Sequence, residues 1–254
     1  MNLRQKPTSP DSDLGVYGGR RILKAMEEAR AYADAIFAEL RAEAGSTGQI
    51  LDFGAGSGIF ARRFAALSRS IDCIEPDAEL RKGLGGFATR IYANIADVDT
   101  QSYDFIYAVN VLEHIPDLDG VCSGLRHVLR PGGRLFIFVP AFEILWTSLD
   151  EEVGHVRRFT CSSLGRALTK ADLEVRRMEY FDSLGLPAAL SVRLLENFGL
   201  FHYSDDTVGL YDRWIFPVSR RADRVFRTFF GKNILAIAER KSDRSRSSEG
   251  RGAW

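Results

Sequence analysis

The sequence has no excess charge of either sign. Its 34 lysines and arginines are matched by 34 aspartates and glutamates in 254 residues, so no global field points to nucleic acid or an acidic polymer as partner. Cysteine is scarce, with Cys73, Cys122 and Cys161 the whole set. An odd, scattered trio has neither paired nor metal-ligand spacing, which argues against a disulfide framework, gives no metal site and suits reduced thiols in the cytosol. Cys73 and Cys122 fall at apolar positions of a strand and a helix, where packing is the expected role. No uninterrupted apolar run reaches membrane-spanning length, and Met1 to Asp13 hold no hydrophobic signal core. The expectation is a soluble, cytoplasmic protein.

What is present is alternation. Candidate strands at 49–53, 70–75, 90–93, 103–109 and 134–139 are separated by helical patterns such as 59–67 and 118–129, the signature of a parallel sheet covered on both faces. A helix is predicted from about Arg20 to Glu43, on the apolar stripe Ile22, Leu23, Met26, Ala29, Ala33, Ile36, Phe37 and Leu40. Strands are also predicted at Leu173 to Phe181 and Asn233 to Arg240. The fifty or so residues between them exceed ordinary loop lengths and are apolar and aromatic, so 182–232 reads as a helical cap. The expected organisation is a flexible N-terminus (1–13), an N-terminal helical lid (14–46), one α/β domain (47–241) and a disordered basic tail (242–254).

The first strand runs into the first sheet helix through Leu51-Asp52-Phe53-Gly54-Ala55-Gly56-Ser57-Gly58. Glycine at every second position lets backbone approach a ligand closely or take positive φ. A dinucleotide fingerprint would need glycine at 59, where this chain has Ile59. Glu75 ends the second strand about twenty residues on, the offset and position expected of an acid that binds ribose hydroxyls beyond the carboxyl ends of strands.

The pattern Asp-x-Gly-x-Gly-x-Gly resembles motif I of class I S-adenosylmethionine-dependent methyltransferases. Tyr103 to His114 is similar to that family's fourth strand and following turn, and Leu129-Arg-Pro131-Gly132-Gly133 to its approach to strand five. Gly154-His155-Val-Arg157-Arg158-Phe159 resembles a bacterial branch with a Gly-His-x-Arg-Arg-aromatic segment after strand five. The resemblance implies a Rossmann-like, doubly wound, seven-stranded sheet, mostly parallel, its antiparallel last strand inserted beside the fifth. It also implies S-adenosylmethionine as cofactor. On that reading Gly54, Ala55, Gly56 and Gly58 pass beneath the ribose and methionyl chain, and Glu75 with Pro76 takes the ribose diol. Asp52 orients the loop and faces the ligand's ammonium. Asn94 and Ile95 meet the adenine, Asn110 lies nearest the sulfonium, and Tyr17 and Tyr32 close over the cofactor or pack.

An oxygen or protonated amine acceptor needs a base. His155 is the preferred candidate, with a loop-pinning role as its alternative. His114, after Glu113, is a second candidate or a brace for its turn. His127 lies on an exposed helix face, and His202 is unassigned. Arg157 and Arg158 either clamp an anionic acceptor or pair with Asp150, Glu151 or Glu152. In the cap, Val218, Ala222, Val225, Phe226 and Phe229 share a helical face, with Arg220, Arg221, Arg224 and Arg227 elsewhere on the turn. That face is expected to be core, with Trp146, Phe142, Phe181, Trp214 and Phe216 enclosing a small-molecule or lipid-linked, moderately hydrophobic acceptor. The alternative is peripheral membrane contact through 217–230. Two rival functions are a non-catalytic adenosylmethionine-binding partner subunit and a nicotinamide-dependent oxidoreductase.

Overall fold

The computed structural model describes residues 28–46, 48–199 and 205–242. The expectations for 1–27 (Tyr17, Ile22, Leu23 and Met26 among them), for His202 and for 243–254 fall outside them. Seven strands form one sheet in the order β3-β2-β1-β4-β5-β7-β6. They are β1 (Ile50–Phe53), β2 (Ile71–Ile74), β3 (Arg90–Tyr92), β4 (Tyr103–Val109), β5 (Leu129–Pro140), β6 (Leu173–Phe181) and β7 (Asn233–Arg240). Strands β1 to β5 pair in parallel, and β7 runs antiparallel between β5 and β6. This is the expected topology.

Helices cover both faces: α1 (Arg30–Ala44), α2 (Ile59–Ala66), α3 (Ala78–Leu84), α4 (Leu118–Val128), α5 (Ser148–Glu152), α6 (Cys161–Lys170), α7 (Gly185–Asn197), α8 (Asp205–Leu210) and α9 (Phe216–Phe226). One core layer packs Val121, Cys122 and Leu125 of α4 and Leu164 and Leu168 of α6 on the sheet. The other packs Ala33, Ile36 and Leu40 of α1, Phe60 and Phe64 of α2, and Phe216 of α9. Alternate side chains of a strand point to opposite faces, so strands buried on both read as continuous apolar runs.

Two boundaries and one helix orientation differ from what the sequence predicts. The predicted helix from Arg20 is interrupted at Ala29, and α1 starts at Arg30. Its first turn is capped from far away in sequence: Ala31 and Tyr32 donate backbone N–H groups to the Asp212 carboxylate at 3.0 and 2.8 Å. The fifth strand starts at Leu129, five residues early, and runs through Pro131-Gly132-Gly133 with a register shift against β4. Third, α9 buries Phe216, Ser219 and Asp223, whereas Val218, Val225, Phe226 and Phe229 are exposed. That corrects the expectation of an apolar core face. The polar side turns inward because loop 182–184 has backbone donors to satisfy. Asp223 accepts from the N–H groups of Asp182 and Ser183, and Ser219 Oγ from that of Leu184. Trp214 accordingly faces outward, while Phe181 and Phe216 pack on Tyr32 and not around an acceptor.

Candidate active site at the carboxyl edge of the sheet

The loop after β1 is built on left-handed backbone, with Gly54 at φ +78°, Gly56 at +56° and Gly58 at +77°. A Cβ on Gly54 would lie 2.5 Å from a methyl of Val111, and one on Gly58 2.4 Å from the Phe87 ring. Gly54 and Ala55 donate to the Ile74 carbonyl, which ties the loop to the end of β2. Glu75, the next residue, is buried; its Oε2 accepts from Gly56 N–H at 2.7 Å and its Oε1 from Asp77 N–H at 2.9 Å. The carboxylate therefore faces the glycine loop. Asp77 caps α3, accepting from Glu79 and Leu80. Arg81 clamps the Glu75 and Pro76 carbonyls.

Asp52 lies beneath the loop, buried, with the Tyr107 hydroxyl donating to it at 2.9 Å. Burial pushes its carboxyl up to about 7, against the Tyr107 hydrogen bond and with some help from the Glu75 charge. Tyr107 is a partner that motif spacing does not reveal. Asn94 caps the 3₁₀ turn Ile95–Asp97, its Oδ1 accepting from Ala96, while Asp97 accepts from Asn94 N–H. Ile95 packs against the core beside α4. Asn110 leaves β4 in the left-handed conformation, φ +53°, with its N–H on the Phe138 carbonyl.

The turn Leu112–His114 and the segment after α5 meet at this edge. Val156 donates to the Glu113 carbonyl, and Phe159 to that of Pro140 at the end of β5. His155 Nδ1 lies 2.6 Å from Asp150 Oδ1, its Nε2 3.8 Å from Glu113 Oε1, and its ring stands edge-on to His114 at 4.7 Å between centroids. Glu113 is wholly buried and neither carboxylate oxygen has a hydrogen-bond partner. Burial raises it to about 8. Burial, and then the neighbouring His155, lowers His114 to about 4. Burial would raise Asp150, but hydrogen bonds from His155 and Arg158 outweigh it and hold it at about 2. At neutral pH the site thus holds a neutral Glu113, a neutral His114 and an ionised Asp150. Ligand-capable atoms of Glu113, His114 and His155 all lie within 4.8 Å of one another, so these are the side chains that could hold a divalent cation here.

The arginine pair is committed to protein. Arg158 forks onto Asp150 through Nε and Nη2 at 2.8 and 2.9 Å and reaches the Ala141 carbonyl; Arg157 donates to the Ile115 and Pro116 carbonyls. Arg158 thus makes the expected pairing with Asp150, whereas Arg157 binds backbone carbonyls and none of the three acids named for it. Tyr32 likewise packs: its hydroxyl donates to Asn233 Oδ1 at 2.7 Å, and its ring lies among Phe138, Phe181 and Phe216. Trp146 follows the 3₁₀ turn Glu143–Leu145 at the same edge, half-buried. Asp150 as the partner of His155 and Glu113 as a buried acid without a hydrogen-bond partner are not expected from the sequence.

A model of the methyltransferase domain matches residues 25–177. The ubiquinone biosynthesis O-methyltransferase of Xylella fastidiosa (strain 9a5c) is 30% identical over 102 residues, covering 36% of this chain and 42% of that protein. Its counterpart in Xanthomonas oryzae pv. oryzae (strain PXO99A) is 28% identical over 99 residues, covering 35% and 41%. The chain thus spans about two fifths of the length of these curated relatives. Among solved structures, a SAM-dependent methyltransferase from Archaeoglobus fulgidus superposes with a TM-score of 0.55 at 15% identity, over 82% of this chain and 94% of that one. Phosphoethanolamine N-methyltransferase 2 of Haemonchus contortus, in complex with S-adenosyl-L-methionine, gives 0.54 at 16% identity, over 82% and 53%. At such identities the structural likeness concerns the fold.

Proposed function

This chain belongs to the methyltransferase-domain family, and on that premise we propose that it transfers a methyl group from S-adenosylmethionine to a hydroxyl oxygen of a small-molecule or lipid-linked, moderately hydrophobic acceptor. The residues present fit the donor. Each Glu75 oxygen accepts one backbone N–H and keeps a second lone-pair direction, so two vicinal hydroxyls can bind side by side. Gly54, Gly56 and Gly58 sustain the left-handed backbone that carries the Gly56 N–H to Glu75, with Val111 and Phe87 packed against Gly54 and Gly58. On this reading Asn110 would lie nearest the sulfonium, and Asn94 and Ile95 would meet the adenine.

When bound, the cofactor supplies a methyl carbon already activated on a sulfonium, so the protein's tasks are alignment, water exclusion and proton removal. Asp150 takes the Nδ1–H of His155, which leaves the Nε2 lone pair as the proton acceptor. His155 would remove the acceptor's hydroxyl proton there, and the ionised Asp150 stabilises the imidazolium that results. Glu113, kept protonated by its surroundings, places no competing negative charge beside the incoming oxygen. His114 walls the imidazole on its other side. Trp146 and Phe142 would supply the apolar surface for the acceptor.

The observation that carries this reading is the 2.6 Å contact between Asp150 and His155 at the carboxyl edge of β4 and β5. The O-methyltransferase names of the partial-length relatives support oxygen as the accepting atom. Calorimetry with S-adenosylmethionine and S-adenosylhomocysteine tests donor binding, and failure of both to bind removes the proposal's base. Labelled methyl donor offered with a panel of phenols, catechols and amines tests the acceptor. Label confined to amine products would refute the oxygen assignment.

A further inference from the structure

Helix α9 has its amphipathicity turned inside out: Ser219 and Asp223 are buried, while apolar side chains face solvent. Val218 and Val225, two turns apart, are 50% and 64% exposed; Trp214, one turn before Val218, is 62% exposed and Phe229, just beyond the helix, 70%. Their neighbours on this side are cationic. Between residues 213 and 232 the cations are Arg213, Arg220, Arg221, Arg224, Arg227 and Lys232, of which Arg220 pairs with Glu39 and Asp223, Arg227 with Glu179 and Lys232 with Asp182. Asp223 is buried and turned inward on loop 182–184. Arg221 and Arg224 stand exposed beside the stripe, and Arg213 lies over the Trp214 ring at 5.3 Å.

We propose that this outer face of residues 213–229 docks on an anionic lipid bilayer. Three observations favour a bilayer as the occupant. Arg213, Arg221 and Arg224 stand exposed beside the apolar side chains, while the acids nearby are taken up by Arg220, Arg227 and Lys232, so this face attracts an anionic surface and orients the molecule on it. The outward side chains are Trp, Phe and Val, which partition into the headgroup boundary, rather than a hydrogen-bonding array suited to bases or a peptide backbone. Third, the helix needs no membrane to fold, because its inward side is already locked by Asp223, Ser219 and Phe216. The face is therefore preformed. Among the described residues no helix is long and apolar enough to cross a membrane, so the contact is peripheral. The inference is independent of methyl transfer.

The test is co-sedimentation of the full chain with phosphatidylcholine vesicles and with phosphatidylcholine–phosphatidylglycerol vesicles, alongside light scattering of the free protein. The wild type is expected to bind the anionic vesicles and not the neutral ones. Val225→Asp with Phe229→Asp, both at exposed sites, should weaken binding by on the order of tenfold or more, with an unchanged melting temperature. Arg221→Gln and Arg224→Gln should each weaken it roughly fivefold, and added salt should mimic them. Absence of binding to anionic vesicles, or equal binding by the double aspartate variant, overturns the proposal. So does a wild-type dimer that the double variant converts to monomer without any vesicle binding, since the occupant would then be a second copy.

Discussion

Gly56 donates its backbone N–H to Glu75 Oε2 at 2.7 Å, joining the middle of the glycine loop to the acid that ends the neighbouring strand. With Gly54 and Ala55 bonded to the Ile74 carbonyl, loop and acid form one preassembled unit. The carboxylate is therefore oriented by the protein before any ligand arrives, which lowers the ordering cost of binding.

Replacing that acid tests the cofactor site. Glu75→Ala is expected to weaken S-adenosylmethionine binding by about 1.5–3 kcal/mol, the range for a lost hydrogen bond to a charged group. Titration calorimetry measures it. Unchanged affinity would remove Glu75 from the site.

The glycine loop makes a prediction about stability. Gly54→Ala forces a Cβ onto φ +78° and to 2.5 Å from Val111 Cγ2. The cost should be about 1–3 kcal/mol in urea unfolding. Adding Val111→Ala should return part of that loss, because it relieves the contact but not the backbone strain.

For the proposed base, His155→Ala should lower turnover by about 10²–10⁴-fold while cofactor affinity holds. Asp150→Asn should also lower turnover, since an amide oxygen still accepts the Nδ1–H but no longer offers a charge to the imidazolium. Wild-type turnover in His155→Ala would reduce this residue to a brace for its loop.

Two buried acids predict opposite pH effects on stability. The Asp150 carboxyl is held at about 2, below its ordinary 3.8; its contribution is present above pH 3.8 and is lost as pH falls toward 2. Roughly 2 kcal/mol of stabilisation should vanish in that window. Asp150→Asn should flatten the acid limb of a melting-temperature profile. Glu113 is raised from 4.5 to about 8; its contribution is complete below pH 4.5 and drains away as pH rises through 8. Glu113→Gln, which stays neutral at every pH, should therefore gain stability over the wild type on going from pH 5 to pH 9. Parallel melting profiles would contradict the burial argument.

Much of this protein was legible in its sequence because the relevant signals are local. A strand buried on both faces needs a short apolar run, a left-handed turn needs glycine, and an acid twenty residues past that turn falls at the neighbouring strand's tip. Those constraints act over a few residues each. They placed β1, β2, β4, β6, β7, the loop at 54–58 and Glu75. The start of α1 was not legible, because its cap, Asp212, lies 180 residues from Tyr32.

The same divide separates the two sides of the site. Which strands exist and where backbone can approach a ligand followed from residue types and spacing alone. Which imidazole has a carboxylate at its back, which arginine is already occupied and which face of α9 turns inward were decided only by folding. These depend on unpaired polar groups finding partners across the sheet edge. Burying a polar group without a hydrogen bond costs more than leaving Val or Phe in water, so loop 182–184 drew Asp223 inward and left the apolar stripe facing solvent.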